Sequence, residues 1–173
     1  MTAVQEEKQT ITIEDALQIG RDHLADMKID MASLGGLTLT KFEAIKDFQS
    51  EGAAHYYRKV GYSETDANNL FGLVKRFLAL SVAWQELRCP SYLSLPDRAD
   101  IDGWHGFIIQ TKDYQVIGEI LGRFIHHTTT EGAQGEHVAI TMAAITSIFG
   151  NVAPQIWADC PDCVVYGWCS DGD

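Results

Sequence analysis

The side chains in this sequence best suited to metal or nucleophilic chemistry are its six histidines and four cysteines, and they are unevenly spread. His105 follows Trp104, and His126 and His127 stand together after G-R-F-I. Cys160, Cys163 and Cys169 fall in the last stretch, while Cys89 sits beside Pro90. Neutral imidazoles from separated segments can converge on a first-row metal, and three protein ligands with an open position suit catalysis. His105, His126 and His127 are such candidates, with Glu131, His137, Asp100 or Asp102 to complete or orient the set. The competing reading is structural: Trp104 and His105 clamp a helix start, and His126 or His127 caps nearby carbonyls. A pH-sensitive contact is a third role open to them.

In C-P-D-C-x5-C, two thiolates at C-x2-C spacing can hold one ion from a single turn. A second such pair is missing, so Cys169 with Cys89 or a histidine would have to complete the site. The same spacing suits redox chemistry, but no βαβ pattern surrounds it, and neighbouring acids raise rather than lower a thiol pKa. Two further readings are ordinary thiols and a tail that a partner binds or a modifying enzyme processes, with the folded part as its handle. Any metal would be a divalent transition ion such as zinc. The chain carries no P-loop, dinucleotide fingerprint, nucleophile elbow or H-E-x-x-H.

These residues need elements to position them, and the hydrophobic spacing is helical throughout. After a polar segment 1–10, Thr12 precedes a helix bearing Ala16, Leu17, Leu24, Met27 and Met31, weakened at Gly20 and ended by Gly35-Gly36. Thr40 and Glu43 form a capping box for a second start, which Glu51-Gly52 interrupts before H-Y-Y-R-K-V reaches Gly61. His23 and His55 read as boundary and packing residues. Ser63 and Asp66 cap the clearest helix, whose face carries Leu70, Leu73, Val74, Phe77, Leu78, Ser81 and Trp84. Pro90 and Pro96 impose a loop. Asp100 or Asp102 caps the next helix, with Ile101, Trp104 and Ile108 on one side. Thr111 restarts it, with Tyr114, Ile117, Ile120 and Leu121 inward, and Gly122 stops it. R-F-I-H-H-T-T-T is extended in character, so the paired histidines point to opposite sides. A last helix from Glu131 ends at Gly150, and a short turn places Ile156 and Trp157 on the bundle.

The expected fold is mainly α: a single-domain bundle of five or six helices packed around 64–88 and 101–121. The helical domain spans 11–157, and an irregular, acidic, Cys-containing tail spans 158–173. With 24 acidic against 13 basic residues and a net charge of −11, the chain repels phosphate backbones and offers no basic stripe that could reverse this locally. Nucleic acid is therefore not an expected partner. The first residues lack the basic and apolar regions of a secretory signal, and no apolar run approaches the roughly 20 residues that span a bilayer. A cytoplasmic location away from membranes is expected, where structural disulfides are disfavoured.

With D-x-x-W-H-x-x-I-x-x-T-x-x-Y, then G-R-F-I-H-H, then a downstream F-G, the chain resembles the glycine-rich domain-containing protein-like family, as a bacterial single-domain member. The resemblance runs over about 61–157 and takes in Y-S-E-T-D-A and R-F-L-A-L. Gly106-Phe107 stand where many relatives carry a second histidine, and the long glycine-rich run is absent. The resemblance implies a fold more than an activity. The leading expectation is a metal-binding or protein-interaction module built on the Trp-His and His-His motifs. The alternatives are a metal-dependent enzyme with an open His-ligated position, and a carrier or precursor whose Cys tail is modified or bound by a partner. The acidic surface also suits a basic protein partner.

Overall fold

The computed structural model describes residues 12–126 and 135–150. These form seven helices and one π-helical turn, with no strand among the described residues. In order they are α1 (Ile13–Asp26), α2 (Met31–Ile45), α3 (Glu51–Lys59), α4 (Glu64–Glu86), the π-turn (Ala99–Trp104), α5 (His105–Ile108), α6 (Thr111–Leu121) and α7 (Gly135–Phe149). The segment 1–10, the turn through Ile156 and Trp157, and the tail 158–173 lie outside the described residues.

The chain is mainly helical as expected, but among the described residues the helices number seven rather than five or six, because local caps divide the first half differently. Thr12 caps α1 through a reciprocal box with Asp15. Lys28, in the left-handed region at φ 56°, ends the helix. Asp30 then caps α2 by accepting from the Ala32 and Ser33 amides. Gly35 and Gly36 consequently lie inside α2 instead of ending a helix. Thr40 is not a cap either: its hydroxyl donates to the Gly36 carbonyl one turn back. Ser50 caps α3 at the Ala53 amide, so Glu51-Gly52 begin a helix instead of breaking one. Each interior glycine costs α2 up to about 1 kcal/mol, which burial of Leu34, Thr38 and Ile45 opposes.

The longest helix is α4, capped by Ser63 at the Asp66 amide and packed against α2, α3, the π-turn and α7. Ala79, Leu80, Val82 and Ala83 are buried along with the face read from the spacing. Burial on almost every side makes α4 the core of the molecule. Lys75 is also buried, and its ammonium group donates to the Lys46 and Phe48 carbonyls, closing the C-terminal end of α2. On the far side, α1 packs against α7. Their backbones are so close that a Cβ on Gly20 would lie 2.0 Å from the Ala139 carbonyl oxygen. Gly20 therefore sets the α1–α7 approach, which outweighs its cost within α1.

The stretch from Asp100 to His126 departs most from its expected form. Neither Asp100 nor Asp102 caps a helix, and α6 begins at Thr111 with no side-chain cap. The His105 amide instead donates to the Asp100 carbonyl, giving the wider π geometry. Asp102 accepts from the Tyr62 hydroxyl at 2.8 Å, and Tyr57 donates to the Gly103 carbonyl at 2.8 Å. Ile101 is exposed, whereas Trp104 turns inward. Along α6, Tyr114, Ile117 and Leu121 are buried, while Ile120, expected inward, is exposed. Gly122 ends α6 at φ 77°, and the Arg123 amide reaches back to the Gly118 carbonyl.

Candidate functional site: a cleft at the end of α4

The C-terminal end of α4 opens onto a cleft of about 700 Å³. Its apolar floor includes Phe77, Trp84 and Trp104, all buried, with Phe77 edge-on to Trp104 at 4.9 Å between ring centres. One wall is the loop after α4. Leu87 caps the helix, Arg88 takes the left-handed conformation at φ 54°, and the Cys89 amide returns to the Trp84 carbonyl at 3.0 Å. The Trp84 indole N–H then donates to the Ser91 carbonyl at 3.3 Å. Ser91 is itself left-handed at φ 74°, and its hydroxyl pairs with His137 Nδ1 at 2.9 Å. The Ser94 amide donates to the Thr141 hydroxyl at 2.9 Å. The loop is thus pinned to the first turns of α7.

The π-turn and α5 supply a second wall, and the segment after α6 supplies a third. His105 Nε2 lies 3.8 Å from Asp100 Oδ2. Opposite them are Arg123 and His126, with Ile125 buried between them. Tyr114 joins these two walls: the Trp104 indole N–H donates to its hydroxyl at 3.2 Å, and that hydroxyl donates to the Ile125 carbonyl at 2.7 Å. Burial pushes the Tyr114 hydroxyl up to about 12, so it remains a neutral donor. The T-shaped contact of His126 with Phe124, 4.9 Å between ring centres, orients the imidazole.

His105 and His126 therefore line one cleft, although they come from separate segments. His137 is not among the lining residues and pairs with Ser91 instead. Cys89 also lines the cleft, and burial pushes its thiol up, which keeps it a poor nucleophile and a poor ligand. Among the described residues no three His, Cys, Asp or Glu side chains gather closely enough to hold a metal ion. His127, Glu131, Cys160, Cys163 and Cys169 lie outside the described residues. Of the other histidines, His23 lies 3.4 Å from Glu136 across the α1–α7 contact, and His55 is exposed on α3 rather than packed. Gly106 faces Tyr56, and a Cβ there would lie 2.5 Å from the Tyr56 ring.

Sequence reasoning missed Arg88 and Arg123. Two permanently charged guanidinium groups line the cleft, where Asp100 is the only carboxylate among the described residues. Among the described residues neither arginine has a carboxylate within ion-pair distance; Arg123 instead donates to the Gln85 side-chain oxygen at 3.1 Å. The arginines are far apart in the chain, so no run of bases marked them. The available signals were local: Arg88 follows the last helical turn of α4, where glycine is usual, and Arg123 follows Gly122. No helix among the described residues is long and apolar enough to cross a membrane. The chain matches no protein-family model, no curated protein and no solved structure, so the functional reading rests on the geometry of this cleft.

Proposed function

We propose that this chain is a protein-interaction domain that holds an acidic, aromatic-bearing peptide segment in the cleft between His105 and His126. The observation that carries this is a local inversion of charge. The chain as a whole is −11, yet among the described residues Arg88, Arg123 and two imidazoles line a pocket with a single acid. A guanidinium presents paired donors that match a carboxylate, and its charge persists at any working pH. Beneath these groups, Phe77, Trp84 and Trp104 offer an aromatic surface of the kind that anchors peptide side chains.

The left-handed backbone at Arg88 supports the same reading. A non-glycine residue there costs about 1–2 kcal/mol relative to glycine. A side chain kept at a strained position beside a cleft points to a role for that side chain. Nucleic acid, the other common polyanionic partner, is opposed by the net charge of −11.

The test is fluorescence polarisation of a labelled decapeptide rich in Asp and Trp, titrated to millimolar concentration against the full-length chain. A counterpart with Lys in place of Asp is the control. The acidic peptide should bind, should weaken as salt rises, and should lose most of its affinity to an Arg88→Ala, Arg123→Ala variant. Equal binding of the two peptides, or no effect of removing the arginines, would show the reading to be wrong.

A further inference from the structure

We infer that the occupant of the cleft is the chain's own C-terminal segment, residues 158–173, docking in cis. This rests on the reading of the cleft as an acidic-peptide site and names its ligand. The segment contains Asp159, Asp162, Asp171 and Asp173 and no lysine or arginine, with Tyr166 and Trp168 between the two acidic pairs. It therefore carries both chemistries that the cleft is lined to receive: carboxylates for Arg88 and Arg123, and rings for the floor made by Phe77, Trp84 and Trp104.

The geometry of α7 makes the return possible. Its first turn is at the cleft, where His137 meets Ser91. Its last turn is anchored far from the cleft, with Phe149 edge-on to Phe42 and the Arg76 guanidinium against both rings. Fifteen residues of helix separate these ends by about 22 Å at 1.5 Å per residue. Gly150 then adopts φ 78°, which ends α7 and turns the chain. From Gly150 to Cys160 an extended chain spans up to about 33 Å. The acidic segment is thus long enough to run back along α7 and enter the cleft.

Docking in cis has a chemical consequence for the tail. Cys160, Cys163 and Cys169 lie among the docking residues. Occupancy of the cleft limits access of modifying or oxidising partners to their thiols, and release exposes all three together. Because the recognition depends on charge, salt or a competing acidic segment drives release.

The experiment uses the full-length chain and a fluorescein-labelled peptide copying residues 158–173 with serine at the three cysteine positions. Binding is compared between wild type and a full-length variant carrying Asp159→Asn, Asp162→Asn, Asp171→Asn and Asp173→Asn. A tethered tail competes at millimolar effective concentration, so the variant should bind the added peptide at least about tenfold more tightly than wild type. Adding Arg88→Ala and Arg123→Ala to the variant should abolish that gain. Equal binding by wild type and the Asn variant overturns docking in cis while leaving the peptide-binding function intact. No binding by the Asn variant overturns both readings. Should the arginine substitutions unfold the protein, the comparison of wild type with the Asn variant still decides, because those four substitutions leave every described residue unchanged. A second readout is the rate of maleimide labelling of the tail thiols in a Cys89→Ser background. It should rise several-fold in the Asn variant, and an unchanged rate counts against docking.

Discussion

The Tyr114 hydroxyl donates to the Ile125 carbonyl oxygen at 2.7 Å, and this bond sets the direction of the chain just before His126. The same hydroxyl accepts from the Trp104 indole at 3.2 Å, next to His105. One phenol thus couples the two histidine-bearing walls. Tyr114→Phe leaves a buried donor and a buried acceptor without their partner, which costs about 1–3 kcal/mol. Urea denaturation should show that loss with an unchanged slope. Affinity for an acidic peptide should fall as well, because Arg123 and His126 lose a fixed backbone. A variant as stable as wild type would remove Tyr114 from this role.

Arg88→Gly should separate stability from binding. Glycine fits φ 54° without the clash of a Cβ, so the end of α4 should gain about 1 kcal/mol, visible as a higher Tm. The guanidinium is lost in the same substitution, so the acidic peptide should bind more weakly. A rise in both quantities would argue that the arginine has no part in recognition.

Alkaline pH should destabilise the protein through two buried phenols. Burial raises Tyr57, and it raises Tyr114 to about 12 from an ordinary value of 10. A raised folded-state value means that the unfolded chain gives up its protons first. The stabilisation is therefore complete below pH 10 and is lost as the pH climbs from 10 through 12. Denaturation midpoints measured from pH 8 to 11 should fall above pH 10. Tyr57→Phe should flatten that fall while lowering stability at pH 8 by losing the bond to the Gly103 carbonyl. A midpoint that is flat through pH 11 would contradict the burial of both phenols.

Gly20→Ala should be disruptive despite alanine's better helix propensity. The added Cβ would meet the Ala139 carbonyl oxygen at 2.0 Å and the Ala143 methyl at 2.7 Å. Neither can swing aside, so α1 and α7 must separate, at about 1–3 kcal/mol or more. Gly36→Ala has nothing within 4 Å of its added Cβ and should stabilise α2 by about 0.5–1 kcal/mol. Opposite signs for the two substitutions in a thermal melt would check the pair.

Much of the local structure was readable where one residue type decides the geometry. Ser63 with Asp66, Gly122 and Gly150 each act through their own backbone or the next turn, and they end or begin helices where the pattern placed them. The errors arose where two local signals competed. Gly35-Gly36 look like a stop, but Asp30 has already capped the helix that runs through them. Asp100 and Asp102 look like caps, but Tyr62 holds Asp102, and His105 stands beside Asp100.

By itself the sequence determined the helical class, the central place of α4 and the candidacy of His105 and His126, because periodicity and side-chain chemistry are written into neighbouring positions. Only the tertiary structure decided that those two histidines share a cleft and that Arg88 and Arg123 join them there. Those positions come together through packing of α4, the π-turn, α6 and α7. The meeting of two arginines at one cleft is likewise a property of the fold. A chain of net charge −11 carries no run of bases to announce it, and the field inside a pocket depends on which few charges folding brings to its walls.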